Sequence, residues 1–98
     1  MKRVYISGKI TGLEEKVYRK NFSEAENPLR VLGYYPVNPA KRGEIPGYKW
    51  EDYMKDCIKM LCDCEYIYMI PGWEDSDGAK MEHQIAVRLK IPVLSVMG

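Results

Sequence analysis

Ninety-eight residues are enough for one domain, and two domains would each be too short to bury a stable core, so a single domain over 1–98 is expected. Fifteen Lys and Arg against fourteen Asp and Glu leave a formal charge of +1, which excludes the broad basic field that non-specific nucleic-acid binding needs. The apolar runs are strand-sized and the chain enters a strand pattern directly, which points away from a membrane span or a secretion signal and toward a cytoplasmic protein.

Arg3-Val-Tyr-Ile6 is a β-prone run ended by Ser7-Gly8, the first expected strand. After a loop through Gly12, Phe22, Ala25, Leu29 and Leu32 recur at intervals of three and four, which predicts a helix stopped by Gly33 and kinked or restarted near Pro28. Tyr34 to Val37 reads as the second strand, closed by Asn38-Pro39. From Ala40 to Lys49 periodicity is lost, which leaves a loop long enough to act as a cover. Trp50, Met54, Cys57, Ile58 and Leu61 mark a second helix over Trp50 to Cys62. Tyr66 to Ile70 is a continuous apolar run, as expected of a central strand covered on both faces. Pro71-Gly72 ends it. A third helix starts near Gly78 or Ala79 with Ile85, Ala86 and Leu89 inward, and Pro92 to Val96 supplies a fourth strand.

Strands alternating with helices predict an α/β flavodoxin-like three-layer sandwich, with a four-stranded parallel sheet in the order 2-1-3-4 and helices on both faces. If the order reverses beside the first strand, loops 7–16, 38–49 and 71–78 converge on a crevice at the carboxyl edge of the sheet.

Within that crevice Glu82 is the sharpest chemical signal. It precedes Ile85, Ala86 and Leu89 by three, four and seven positions, which puts a carboxylate on the buried face of the third helix, near its amino end. The plainer alternative is a Glu that caps its own helix or pairs with Lys80 or Arg88. The turn Pro71 to Gly78, with Gly72, Trp73 and Ser76, offers backbone amides and a hydroxyl to a phosphate, or is an acidic turn whose Ser76 caps the helix. Loop Ser7-Gly8-Lys9-Ile10-Thr11-Gly12 lacks the upstream glycine and the Lys-Ser/Thr pair of a triphosphate loop, so it is read as a tight turn that brings backbone close to a ligand. Tyr48, Trp50 and Trp73 lie on or beside these loops, where rings can stack on a base or simply pack. Asn38 opens the cover loop. The three cysteines, Cys57, Cys62 and Cys64, are expected as buried thiols, and Cys62-Asp63-Cys64 lacks the second pair a zinc site needs. No cofactor or metal is expected, and His83 is expected to be exposed.

The run Val4 to Gly12, the acid Glu65 at the head of the third strand, and Gly78-Ala79-Lys80-Met81-Glu82 followed by Ala86 and Ile91-Pro92-Val93 resemble the nucleoside 2-deoxyribosyltransferase-like superfamily. The Trp50 to Tyr53 and Pro71 to Trp73 stretches resemble a small branch of it found in phage and bacterial genomes. The resemblance implies that Glu82 attacks the anomeric carbon of a deoxyribose, with Tyr5 and Glu65 positioning substrate or nucleophile. It further implies that Gly8 lies by the sugar and that Ser76 contacts a 5′-phosphate. Three departures stand out. Thr11 replaces the loop arginine of the nucleotide hydrolases, Ser76 replaces the transferases' aspartate, and Glu65 replaces an Asp. The expected function is N-glycosidic cleavage or deoxyribosyl transfer on a nucleoside or nucleoside 5′-monophosphate. The alternative is a non-catalytic nucleotide-binding or sensor module. The partners expected are that small molecule and a second copy in a homodimer, with neither nucleic acid nor membrane.

Overall fold

A computed structural model describes residues 1–95. Strand β1 spans Arg3–Ser7, helix α1 Glu15–Val31, β2 Tyr35–Val37, α2 Trp50–Cys62, β3 Tyr66–Met69 and α3 Asp77–Arg88. Short 3-10 turns occupy Pro39–Arg42 and Trp73–Asp75. The sheet is parallel with order β2-β1-β3, Tyr5 pairing with Val37 on one side and Ile67 on the other.

The sequence runs β1, α1, β2 to one side of the sheet, then α2 carries the chain back across to β3. The order therefore reverses beside β1, which is where a parallel α/β sheet opens a crevice at its carboxyl edge. Because side chains alternate along a strand, Val4 and Ile6 face one layer and Tyr5 and Ser7 the other. Val4 and Ile6 pack with Tyr18, Phe22, Ala25 and Leu29 of α1, while Tyr5 packs with Cys57 and Leu61 of α2 and Ala86 of α3.

The sheet has three strands where four were expected. The predicted fourth strand, Pro92 to Val96, is reduced among the described residues to one parallel bridge between Ile67 and Val93, and Val96 lies outside them. Ile67 donates to the Pro92 carbonyl (3.0 Å) and accepts from Leu94 N (2.8 Å) on the outer side of β3, where the order 2-1-3-4 placed it. Pro92 has no N–H to extend the ladder.

Helix α1 starts at Glu15, about two turns before Phe22, and runs through Pro28 without a break. Pro28 sits in the last turn, and the carbonyl it leaves unpaired belongs to Glu24, which faces water like Pro28 itself. Leu32 and Leu89, both expected to be inward, are 56% and 55% exposed, because each is the residue on which its helix ends. Among the described residues no helix is long and apolar enough to cross a membrane.

Candidate functional site

Ser7 is the last residue of β1, and Tyr5 lies two before it on the same face. Ala79, Glu82 and Ala86 share the buried face of α3, spaced by three and four, and the two alanines are small enough to bring α3 close to the sheet. The outcome is a carboxylate held by two hydroxyls: Tyr5 donates to Glu82 Oε2 at 2.7 Å and Ser7 Oγ donates to Oε1 at 2.7 Å. Glu82 is 5% exposed and neither caps its helix nor meets a lysine or arginine; Lys80 turns to Asp77 instead (3.6 Å).

Burial pushes the Glu82 carboxyl above its ordinary value, while the hydrogen bonds from Ser7 and Tyr5 pull it back part of the way. The Tyr5 phenol is pushed well up, first by burial and then by the charge of Glu82, so it remains a donor. Burial likewise raises the Cys57 thiol, which lies in the same layer and accepts from Arg42 Nη2 at 3.8 Å.

Glu82 and Tyr5 open on a cleft of about 1220 Å³ at the carboxyl edge of the sheet. Gly8, Ile10, Thr11 and Gly12 form one wall, Tyr48 closes the loop side, and Ser76 and Gly78 lie at the start of α3. Ser76 is also the N-cap of α3, accepting from Ala79 N at 3.2 Å, so the capping alternative holds alongside its place in the cleft. Gly8 and Gly78 are tight for reasons internal to the fold. A Cβ on Gly8 would come within 2.9 Å of Ile70, and one on Gly78 within 3.1 Å of Met54 Sδ. Ser7 stands behind the cleft, its hydroxyl on the carboxylate and its carbonyl accepting from Ile70 N at 2.8 Å.

Five expected site residues lie elsewhere. Glu65 is at the amino edge of the sheet, where its carboxylate accepts from Arg3 N (2.7 Å), a full strand length from Glu82. Trp73 stacks on His83 with ring centroids 4.6 Å apart, which also leaves His83 half-buried rather than exposed. Gly72 makes the left-handed turn before it (φ 91°) and does not reach the cleft. Asn38 is spent on structure, its Nδ2 donating to Glu26 (2.7 Å) and its Oδ1 accepting from Ala40 N (2.9 Å). Lys9 is the one residue of its loop, Gly8 to Gly12, outside the cleft wall.

Three further residues of the cleft were not expected in the site. Arg42 lines the cleft from the loop after β2, with its guanidinium on Asp56 (2.9 Å) and over the Tyr53 ring. Tyr53 in turn pins that loop, accepting from Ile45 N at 2.6 Å. Cys57 lines the cleft next to Tyr5, and of the three thiols Cys57 and Cys64 are buried whereas Cys62 is exposed. Among the described residues no group of three or more His, Cys, Asp or Glu side chains gathers to hold a metal.

A three-layer parallel α/β protein with a hydroxyl-held carboxylate at the mouth of its switch-point cleft is the class these observations define. Residues 2–95 match the profile of the family described as Domain of unknown function (DUF4406), and the chain belongs to that family. No curated protein matches the sequence. Among solved structures, the fold is similar to a 2-deoxyribosyltransferase from the psychrotolerant bacterium Bacillus psychrosaccharolyticus, with a TM-score of 0.70 and 23% identity over 93% of this chain and 69% of that one. At that identity the likeness speaks for a nucleoside deoxyribosyltransferase-like fold.

Proposed function

We propose that this protein cleaves or transfers the N-glycosidic bond of a nucleoside or nucleoside 5′-monophosphate, with Glu82 as nucleophile. The observation that carries this is the buried Glu82 carboxylate, held by Tyr5 and Ser7 with no cation to neutralise it, at the wall of a cleft large enough for such a molecule. In the first step a Glu82 oxygen bonds to the anomeric carbon as the C–N bond breaks, and the electron pair leaves with the base. Water or a second base then attacks that carbon, releasing the carboxylate. Tyr5 and Ser7 orient the carboxylate, and the rings of Tyr48 and Trp50 cover the base. The fold shared with a 2-deoxyribosyltransferase supports the same chemistry.

Incubation with a panel of nucleosides and 5′-monophosphates, with free base followed by chromatography, tests the proposal. Base release by the protein and its loss in Glu82→Ala, by a factor of about 10³ or more, are the expected result. Equal release by the variant, or none by either, rules the enzyme out. The second reading, a nucleotide-binding module without chemistry, draws on Thr11 in the cleft wall, a position without a cation. Calorimetric binding with no base released would select it.

We further propose a cytoplasmic homodimer. Exposed apolar side chains gather where α1 ends and β2 begins, at Val31, Leu32 and Tyr35, and from the end of α3 onward, at Val87, Leu89 and Val93.

A further inference from the structure

Building on the reading of Glu82 as the group that meets the sugar, we infer that the cleft selects an unphosphorylated nucleoside over its 5′-monophosphate. The charge of its wall is the reason. Among the described residues the charged side chains lining it are Arg42, Glu44, Asp75, Asp77 and Glu82, one cation against four carboxylates. The cation is already matched: Arg42 Nη1 donates to Asp56 Oδ2 at 2.9 Å, and the Tyr48 hydroxyl donates to the same oxygen at 2.9 Å, fixing the pair.

The amino end of α3 is where an anion would otherwise be welcome, since its free N–H groups and positive dipole end point outward. Here that end is claimed twice. Ser76 Oγ occupies the Ala79 N–H, and Asp75 and Asp77 flank the cap with negative charge. Asp77 faces Lys80 at 3.6 Å, yet its side chain is 92% exposed, so that pair is screened by water and offsets little. A phosphomonoester brings about 1.5 to 2 negative charges at neutral pH into this field. A nucleoside brings hydroxyl and amino donors, which carboxylates accept, and a flat base, which Tyr48, Trp50 and Tyr53 in the same wall can pack against.

The test compares 2′-deoxyadenosine and thymidine with their 5′-monophosphates, as kcat/KM where base is released and as a calorimetric Kd where it is not, at low and high salt. A preference for the nucleoside of about tenfold at low salt is expected, shrinking as salt screens the wall. In Asp75→Asn/Asp77→Asn the preference narrows at low salt. Equal or better use of the monophosphate, or a preference that ignores salt, overturns the inference and leaves the N-glycosidic reading standing. Failure of every one of these ligands to bind or react overturns both. The salt series needs only the unaltered protein, so a double variant that misfolds does not decide the matter.

Discussion

At the scale of single residues, Glu82 is a carboxylate stored in a place that disfavours its charge. Its raised pKa has two measurable consequences of opposite sign. For activity, ionised Glu82 is the nucleophile, so kcat/KM should climb with pH through a value above the ordinary 4.5. Ser7→Ala and Tyr5→Phe each remove a hydrogen bond to the charged form, so both should move that rise to higher pH while thermal melts show the fold retained. For stability, a carboxyl with a raised folded pKa contributes fully below 4.5 and loses that contribution as pH rises through the folded value. Glu82→Gln keeps both contacts, since hydroxyls can donate or accept. Denaturant melts should therefore show it more stable than the native protein by about 1 kcal/mol at pH 8 and nearly equal at pH 4. Glu82 was legible because its spacing to Ala86 put an acid on an apolar face. Ser7 was not legible as its partner, because the two are 75 residues apart and their meeting depends on how α3 docks on β1. Glu65 was misplaced because its role came from the resemblance alone, whereas an acid that precedes a strand of a parallel sheet lies at the amino edge, away from a cleft at the carboxyl edge.

Among the elements, the join between α1 and the cover loop was hidden from sequence patterns. Glu26 lies on the buried face of α1, 7% exposed, and accepts from Arg30 (2.9 Å) and Asn38 (2.7 Å), with Lys41 at 3.4 Å. Burial pushes its carboxyl up, but the bonds from Asn38 and Arg30 and the charge of Lys41 outweigh that and hold it below its ordinary value. A depressed carboxyl supports the fold above 4.5 and withdraws that support as pH falls through the lower folded value. Acid unfolding of Glu26→Gln should accordingly be shallower than that of the native protein. Asn38→Ala should cost roughly 1–2 kcal/mol by denaturant melting, and should speed proteolysis within residues 39–49 by freeing the 3-10 turn that Asn38 caps. Helices were read well where apolar spacing is dense, α2 matching Trp50 to Cys62 from end to end. The early turns of α1 were missed, since Glu15 to Asn21 carries one deeply buried side chain, Tyr18, among charged ones.

For the molecule as a whole, the alternation of strands and helices was enough to anticipate a parallel sheet with its switch point beside β1, because crossover handedness leaves few other arrangements. The extent of the sheet was not, since backbone pairing at Val93 depends on what lies across from it and Pro92 removes a donor. If the exposed apolar side chains pair two chains, light scattering should give twice the 11.4 kDa chain mass at micromolar concentration, and a monomer at high concentration would refute it. Strand β1 also limits how such a protein can change over time. Its five residues interleave two jobs, hydroxyls on one side and apolar anchors on the other. Gaining or losing one residue there would turn a valine and an isoleucine onto the carboxylate and drive a tyrosine into α1. Exchange of side chains can tune this chemistry, whereas changes of length are confined to the loops around it.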